Sequence, residues 1–267
     1  MNTQDSNVRL VAKHVRKIFT ANDGSESLAI ADISLSIAPH EFVSVVGPSG
    51  CGKSTFLRIV AGLDRQSEGE ILLDGKLVSK PGADRGMVFQ EYALLPWKTT
   101  LANVAFGLQL RGIGKDERAA IARQYIDLVG LSGFEGHYPH QLSGGMRQRA
   151  AVARALANRP SVLLMDEPFA AVDAINRKFL QEELIGISAK EKMTVLFITH
   201  SIDEAVFLSD RVLVLSERPS RIIEEVRIEL PRPRYWDSVL SHPEFISKRD
   251  HVLKIFNNSD QVQREHV

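Results

Sequence analysis

The stretch GPSGCGKST, Gly47 to Thr55, fits the pattern G-x-x-x-x-G-K-[ST] and follows EFVSVV, an apolar run of strand length. These residue types suit phosphate. Glycines let successive backbone N–H groups wrap an anion, Lys53 brings a point charge to the β and γ phosphates, and the Ser54 hydroxyl can ligate Mg2+. Taken alone, a plain glycine turn before a helix would look the same. Further on, SVLLMDEP ends an apolar run in Asp166 and Glu167. An acid at the carboxyl end of a parallel strand beside such a loop can hold Mg2+ through water, which suits Asp166. Glu167, one residue further out, can orient or deprotonate the water that attacks the γ phosphate. Without the glycine loop, the same pair reads as a solvated turn. His200 ends TVLFITH and Gln90 ends RGMVFQ in the same manner. The imidazole can bond a γ phosphate, hold Glu167, or simply cap the next helix, and the Gln90 amide can reach metal or water.

Two more stretches carry chemistry. LSGGMRQRA, residues 142–150, puts two glycines at the mouth of a basic amphipathic helix, whose first N–H groups are a ready anion site. EYALLPW, after Gln90, has six apolar or aromatic residues out of seven where a loop is expected. It reads equally as a buried connection or as an exposed docking patch.

These side chains need a scaffold that ends several strands at one edge, and the hydrophobic pattern predicts one. Residues 8–19 and 27–46 read as strands, EFVSVVG as a short apolar strand, KSTFLRIVAGL as a helix, and EILLDGKLVS as a hairpin turning at Asp74-Gly75. From about 100 to 130 the period becomes helical, in LANVAFGLQL and DERAAIARQYIDLVGL, which predicts a helical lobe inserted into a sheet domain. A helix near Ser143, the strand SVLLMDE, a helix over about 174–190, the strand TVLFITH, a helix from Ile202 and the strand DRVLVLS then alternate. Such alternation implies a mostly parallel sheet with helices on its faces, and the strand-rich start implies an antiparallel sheet beside it. After LPRPR only short helical stretches are expected.

Composition narrows the class. With 33 Lys plus Arg against 33 Asp plus Glu, the net charge is zero, which argues against a protein that coats nucleic acid. Cys51 is the one cysteine, so no internal disulfide is possible and a reducing compartment is the simple reading. No apolar run approaches the roughly 18 residues a spanning helix needs, and MNTQDSNVRL lacks the apolar core of a signal peptide. A soluble chain is expected, tied to a membrane only through a partner.

Taken in order, these pieces resemble the ATP-binding cassette (ABC) ATPase family. Gly47, Pro48, Ser49, Gly50, Cys51, Gly52, Lys53, Ser54 and Thr55 match its phosphate loop, and Gln90 its glutamine loop. Leu142, Ser143, Gly144 and Gly145 with Gln148 match its signature, Leu163 to Glu167 its second nucleotide motif, Asp173 its D-loop and His200 its switch histidine. The resemblance runs from about residue 8 to about 230. It implies an α/β fold of the P-loop NTPase type, with an antiparallel β subdomain and a helical subdomain inserted at about 91–158; residues 231–267 would be a short C-terminal extension.

The family also implies MgATP hydrolysis with Glu167, His200 and Gln90 as catalytic residues. Ser54, Gln90 and Asp166 would serve the metal, Asp166 through water, and Phe19 would stack on adenine. Two copies would bury ATP between them, so that Ser143 and the N–H groups of Gly144 and Gly145 bind a γ phosphate held by the other copy's Lys53. Tyr92, Leu94, Leu95 and Trp97 would line a groove for a short helix of a membrane permease subunit. LLPWKTTLANVAFGLQLRG, with its Pro96-Trp97 pair, is most similar to the importer branch for nitrate, sulfonate and taurine. That branch implies a peripheral protein on the cytoplasmic side of the inner membrane, served indirectly by a solute-binding protein and not by nucleic acid. His40, Ala170 and Val172 depart from the usual residues but lie at no catalytic position. A cassette acting on DNA or ribosomes would typically carry two cassettes or a long coiled coil, neither of which is present. A module that no longer hydrolyses would not need Glu167, His200 and Gln90 together.

Overall fold

A computed structural model describes residues 8–170 and 172–264. Most of the N-terminal stretch expected to lack a signal sequence, and residues 265–267 of the expected extension, lie outside the described residues. The protein is α/β, and two compact units divide it, Met1–Gly82 with Lys192–Val267 and Ala83–Glu191.

The first unit opens with β1 (Leu10–Thr20) and β2 (Glu26–Ile37), antiparallel from Leu10↔Ile37 to Thr20↔Glu26. Ile33, Leu35 and Ile37 are buried and alternate with exposed or half-exposed Asp32, Ser34 and Ser36, the pattern of a strand with one wet face. β3 (Phe42–Val46) is buried throughout and leads into α1 (Lys53–Ala61). β4 (Glu68–Leu73) and β5 (Lys76–Leu77) form the expected hairpin, its two turn residues Asp74 and Gly75 at φ 49° and 73°. After the second unit come β8 (Val195–Ile198), α7 (Ile202–Leu208), β9 (Arg211–Leu215) and β10 (Ser220–Arg227). β8 and β9 flank β3 in parallel and are apolar runs, as strands covered on both faces must be. The strand order of this unit is β5-β4-β1-β2-β10-β9-β3-β8.

Sequence reading misses β10 and the length of the final helix. β10 runs antiparallel to β9 and joins β2 in parallel, yet only Ser220 and Val226 are buried, so Arg221, Glu224 and Glu225 give it the look of a loop. The tail holds α8 (Trp236–Val239) and a long helix α9 (Pro243–Arg264) in place of short stretches alone. Trp236 stacks on Phe207 of α7 with ring centroids 4.1 Å apart, and Phe245 meets it edge-on at 6.1 Å.

The second unit has β6 (Arg85–Val88) parallel to β7 (Val162–Asp166), with α2 (Thr100–Val104), α3 (Phe106–Leu110), α4 (Lys115–Leu128), α5 (Gly144–Ala157) and α6 (Ala174–Lys190). LANVAFGLQL, expected as one helix, breaks at Ala105 into α2 and α3. Ala150, Ala151, Ala153, Ala155 and Ala157 of α5 are buried, small enough for α2, α4 and β6 to pack closely against that helix. Among the described residues no helix is long and apolar enough to cross a membrane.

Candidate nucleotide site

In the first unit, the carboxyl ends of β3 and β8 meet. Val45 pairs with Ile198, and the Thr199 N–H donates to Val45 O at 3.2 Å, so Gly47 and His200 leave the sheet at one edge. The loop from Gly47 wraps into α1 with Gly52 at φ 113°, a conformation that costs other residues but not glycine. At Gly47 a Cβ would come within 2.9 Å of Cys51 Sγ, so the loop closes on itself there. No side chain caps α1, and its first N–H groups stay directed outward at the positive end of the helix. Lys53 is buried, its Nζ donating to Gly47 O at 2.7 Å and Pro48 O at 2.9 Å. Ser49, Gly50 and Ser54 are exposed, and Pro48, Gly52 and Thr55 half-exposed. Cys51 is buried; desolvation raises its thiol pKa, with Lys53 opposing, so it packs as a small apolar residue.

His200 is exposed between two fixed neighbours. Thr199 Oγ1 donates to buried Glu204 Oε2 at 2.6 Å and accepts from Ser201 N at 3.0 Å, while Ser201 Oγ caps α7 by accepting from Glu204 N at 3.3 Å. Phe19 is 42% exposed and pairs with Ser27 of β2, two residues from Ala29, whose carbonyl lies beside Gly52. Lys17 Nζ sits 4.9 Å from its ring centroid.

The second unit brings Gln90, Asp166 and Glu167 to one edge in the same way. β6 and β7 pair at Val88↔Met165, so all three follow the same carboxyl ends. Gln90 is exposed and the two acids half-exposed. Glu167 lies at φ 43°, unusual for a residue with a Cβ and a form of local strain that collects at functional sites. Ser143 is exposed and caps α5, its Oγ accepting from Met146 N at 3.3 Å. Leu142 is buried and Gly144 and Gly145 half-exposed. Asp173 is exposed and caps α6; the Asn176 side chain and then its N–H lower the carboxyl pKa.

Gln148 corrects the sequence reading. It is 1% exposed, and neither amide atom has a hydrogen-bond partner, so it faces the interior and not a second copy's ATP. It lines a cavity of about 20 Å³ with Val129, Val152, Phe169, Leu180 and Leu184. An unsatisfied buried amide costs about 1–3 kcal/mol. Gln148→Met is therefore expected to hold or raise the melting temperature, by up to about 4 °C, and Gln148→Glu to lower it. A Gln148→Met protein melting more than about 4 °C lower would show that the amide is satisfied.

The stretch EYALLPW combines both expected forms. Trp97 is 70% exposed, whereas Tyr92, Leu94 and Leu95 are half-buried. Residues unnoticed in the sequence hold the loop: Asn103, wholly buried, accepts from Leu95 N at 2.8 Å and donates to the carbonyls of Leu95, Lys98 and Thr99. Arg154 of α5 donates to Tyr92 O at 2.9 Å and to Ala93 O, at two successive residues with positive φ. Arg147 lies over the Tyr92 ring at 5.6 Å, and a Cβ at Gly144 would sit 3.6 Å from the Tyr92 hydroxyl. The seven-residue spacing of Arg147 and Arg154, two turns on one helix face, is the one signal of this in the sequence.

Ser54 in the first unit, and Gln90 and Asp166 in the second, each offer a hard oxygen atom of the kind that Mg2+ takes.

Comparison with known proteins agrees. The family model described as ABC transporter matches residues 30–170. An uncharacterized ABC transporter ATP-binding protein of Methanocaldococcus jannaschii, MJ0412, is 56% identical over 251 residues, 94% of this chain and 92% of its own. The nitrate import ATP-binding protein NrtC of Synechococcus elongatus is 42% identical over 96% of this chain, which spans 40% of the NrtC length. The dimeric structure of a post-hydrolysis state of the ATP-binding cassette MJ0796, bound to ADP and Pi, superposes with a TM-score of 0.73 at 32% identity, covering 83% of this chain and all of that one. The chain therefore belongs to the ABC transporter family as an ATP-binding cassette, an ATPase that works on ATP with Mg2+.

Proposed function

We propose that this ATPase powers an importer for a small anionic or zwitterionic solute, as a homodimer held on the cytoplasmic face of the membrane by separate permease subunits and supplied by a solute-binding protein. Residues 8–230 would form the cassette, with its helical insertion at about 91–158, and 231–267 an extension. The observation that carries the reading is the uncapped start of α1 behind a glycine loop, at an edge shared with His200.

Each residue's part follows from its chemistry. The α1 N–H groups and the Lys53 ammonium bind the β and γ phosphates. Ser54, Gln90 and, through water, Asp166 would hold Mg2+, which when bound neutralises phosphate charge. Glu167 takes the proton of the attacking water, and His200 hydrogen-bonds the γ phosphate or steadies Glu167. Ser143 Oγ accepts from Met146, which leaves its own proton for a γ-phosphate oxygen of the other copy's ATP. Phe19 offers an exposed ring for adenine.

The 42% identity to a nitrate import protein supports nitrate within the nitrate, sulfonate and taurine group. ATP hydrolysis by the cassette reconstituted with its permease is expected to rise when nitrate-loaded binding protein is added. A rise with taurine alone would redirect the solute, and no rise with any solute would remove the importer reading. Trp97→Ala is expected to weaken permease capture about tenfold or more, since exposed aromatic anchors dominate such interfaces; unaltered capture in a pull-down titration would move the docking surface elsewhere.

A further inference from the structure

α7 has seven residues, too few to be stable alone, and begins immediately after Ser201, the neighbour of His200. Its first turn is fixed by Ser201 and by the Thr199–Glu204 bond. Its last turn has carbonyls that no intrahelical donor reaches. Those carbonyls are taken by the tail. Arg234, 2% exposed, donates from Nη1 to Phe207 O at 2.7 Å and Ser209 O at 2.9 Å, and from Nη2 to Leu230 O at 2.9 Å in its own segment. Arg232 Nη2 adds Leu208 O at 3.3 Å and Asp210 Oδ1 at 2.7 Å. The Trp236 ring lies flat on Phe207. Burial and then Arg232 bring the Arg234 guanidinium down to about 10, which still leaves it charged at neutral pH, and a cation suits a helix C-terminus.

We propose that Arg234 is a positioning residue for ATP hydrolysis: by clamping the C-terminal end of α7, it fixes the direction from which His200, at the other end, meets the γ phosphate. The proposal rests on the reading of His200 given above. α7 behaves as a rod about 10 Å long, so a tilt of about 10° moves one end relative to the other by nearly 2 Å, a strain that falls on the Thr199 and Ser201 bonds beside His200. A misplacement of about 1 Å can cost about 100-fold in rate. The tail beyond β10 thereby becomes part of the catalytic apparatus.

Arg234→Lys keeps the charge but loses the planar fork that spans Phe207, Ser209 and Leu230. Its kcat for MgATP is expected to fall about tenfold with KM within about twofold, whereas in a His200→Ala background the same change should alter the residual kcat less than about twofold. Amide exchange at residues 203–208 should quicken about tenfold. Should Arg234→Lys fail to fold, Trp236→Leu, which removes the ring on Phe207, is read against the same expectations. Equal fold-losses in both backgrounds, or a wild-type kcat beside quickened exchange, would overturn the proposal. A His200→Ala protein hydrolysing at the wild-type rate would bring down the His200 reading and the proposal with it; quickened exchange in Arg234→Lys would then show that the clamp exists without a catalytic role.

Discussion

Lys53→Ala is expected to lower ATP affinity by more than about 100-fold, because one substitution removes two things. The first is a charge-assisted contact to the phosphates, worth about 3 kcal/mol in a partly desolvated site. The second is the internal brace. Lys53 Nζ joins the carbonyls of Gly47 and Pro48, the residues that turn the chain from β3 toward α1. Without it those carbonyls lose their donor, and the loop must find its phosphate-binding shape during binding instead of before it. Titration with a fluorescent ATP analogue is the measurement, and ATP affinity within threefold of wild type would remove Gly47–Thr55 as the nucleotide cradle. Lys53→Met, which keeps the apolar stem, separates lost charge from lost packing.

Glu167→Gln is expected to reduce kcat by about 100- to 10,000-fold, the range for loss of a general base, with ATP binding preserved. Glutamine has the same shape, so the residue can keep its φ of 43° and the bond from Ala170 N to its carbonyl at 3.1 Å. Only proton acceptance is lost. The variant should therefore accumulate as an ATP-bound dimer, visible by size-exclusion chromatography and single-turnover hydrolysis. A Glu167→Gln protein that stays monomeric at saturating ATP would contradict the shared-site arrangement, and one with near-normal kcat would assign the base elsewhere.

The residues most legible in the sequence are those whose chemistry depends on near neighbours in the chain. Gly47 to Thr55 need only a strand before and a helix after them, and β3 and α1 provide these. Asp166 and His200 were readable because apolar runs lead to them: β7 ends at Asp166, and β8 ends at Ile198, two residues before His200. Gln148 misled because it lies close to Leu142–Gly145 in the sequence while its side chain falls on the buried side of α5, and which side is buried depends on α4 and α6. β10 was hidden because its side chains face water at most positions and its ladder bonds come from backbone alone. Asn103, Arg154 and Arg234 share one reason for being overlooked. Their partners are backbone groups, nearly all carbonyl oxygens, which every residue carries, so nothing in the sequence marks where those bonds will end.

The hold of α5 on the Tyr92–Ala93 loop has a thermodynamic consequence. The helix that presents Ser143 is the same one whose Arg154 grips the loop bearing Trp97, so the two ends belong to one body. A protein that grips the loop more strongly in one arrangement of α5 changes the affinity of the Ser143 end for a ligand that also distinguishes the two arrangements, and that ligand changes the protein's affinity by the same factor. On the roles proposed for Trp97 and Ser143, reciprocity of this kind would let a partner bound at the loop set the nucleotide concentration at which two copies close, without touching the nucleotide.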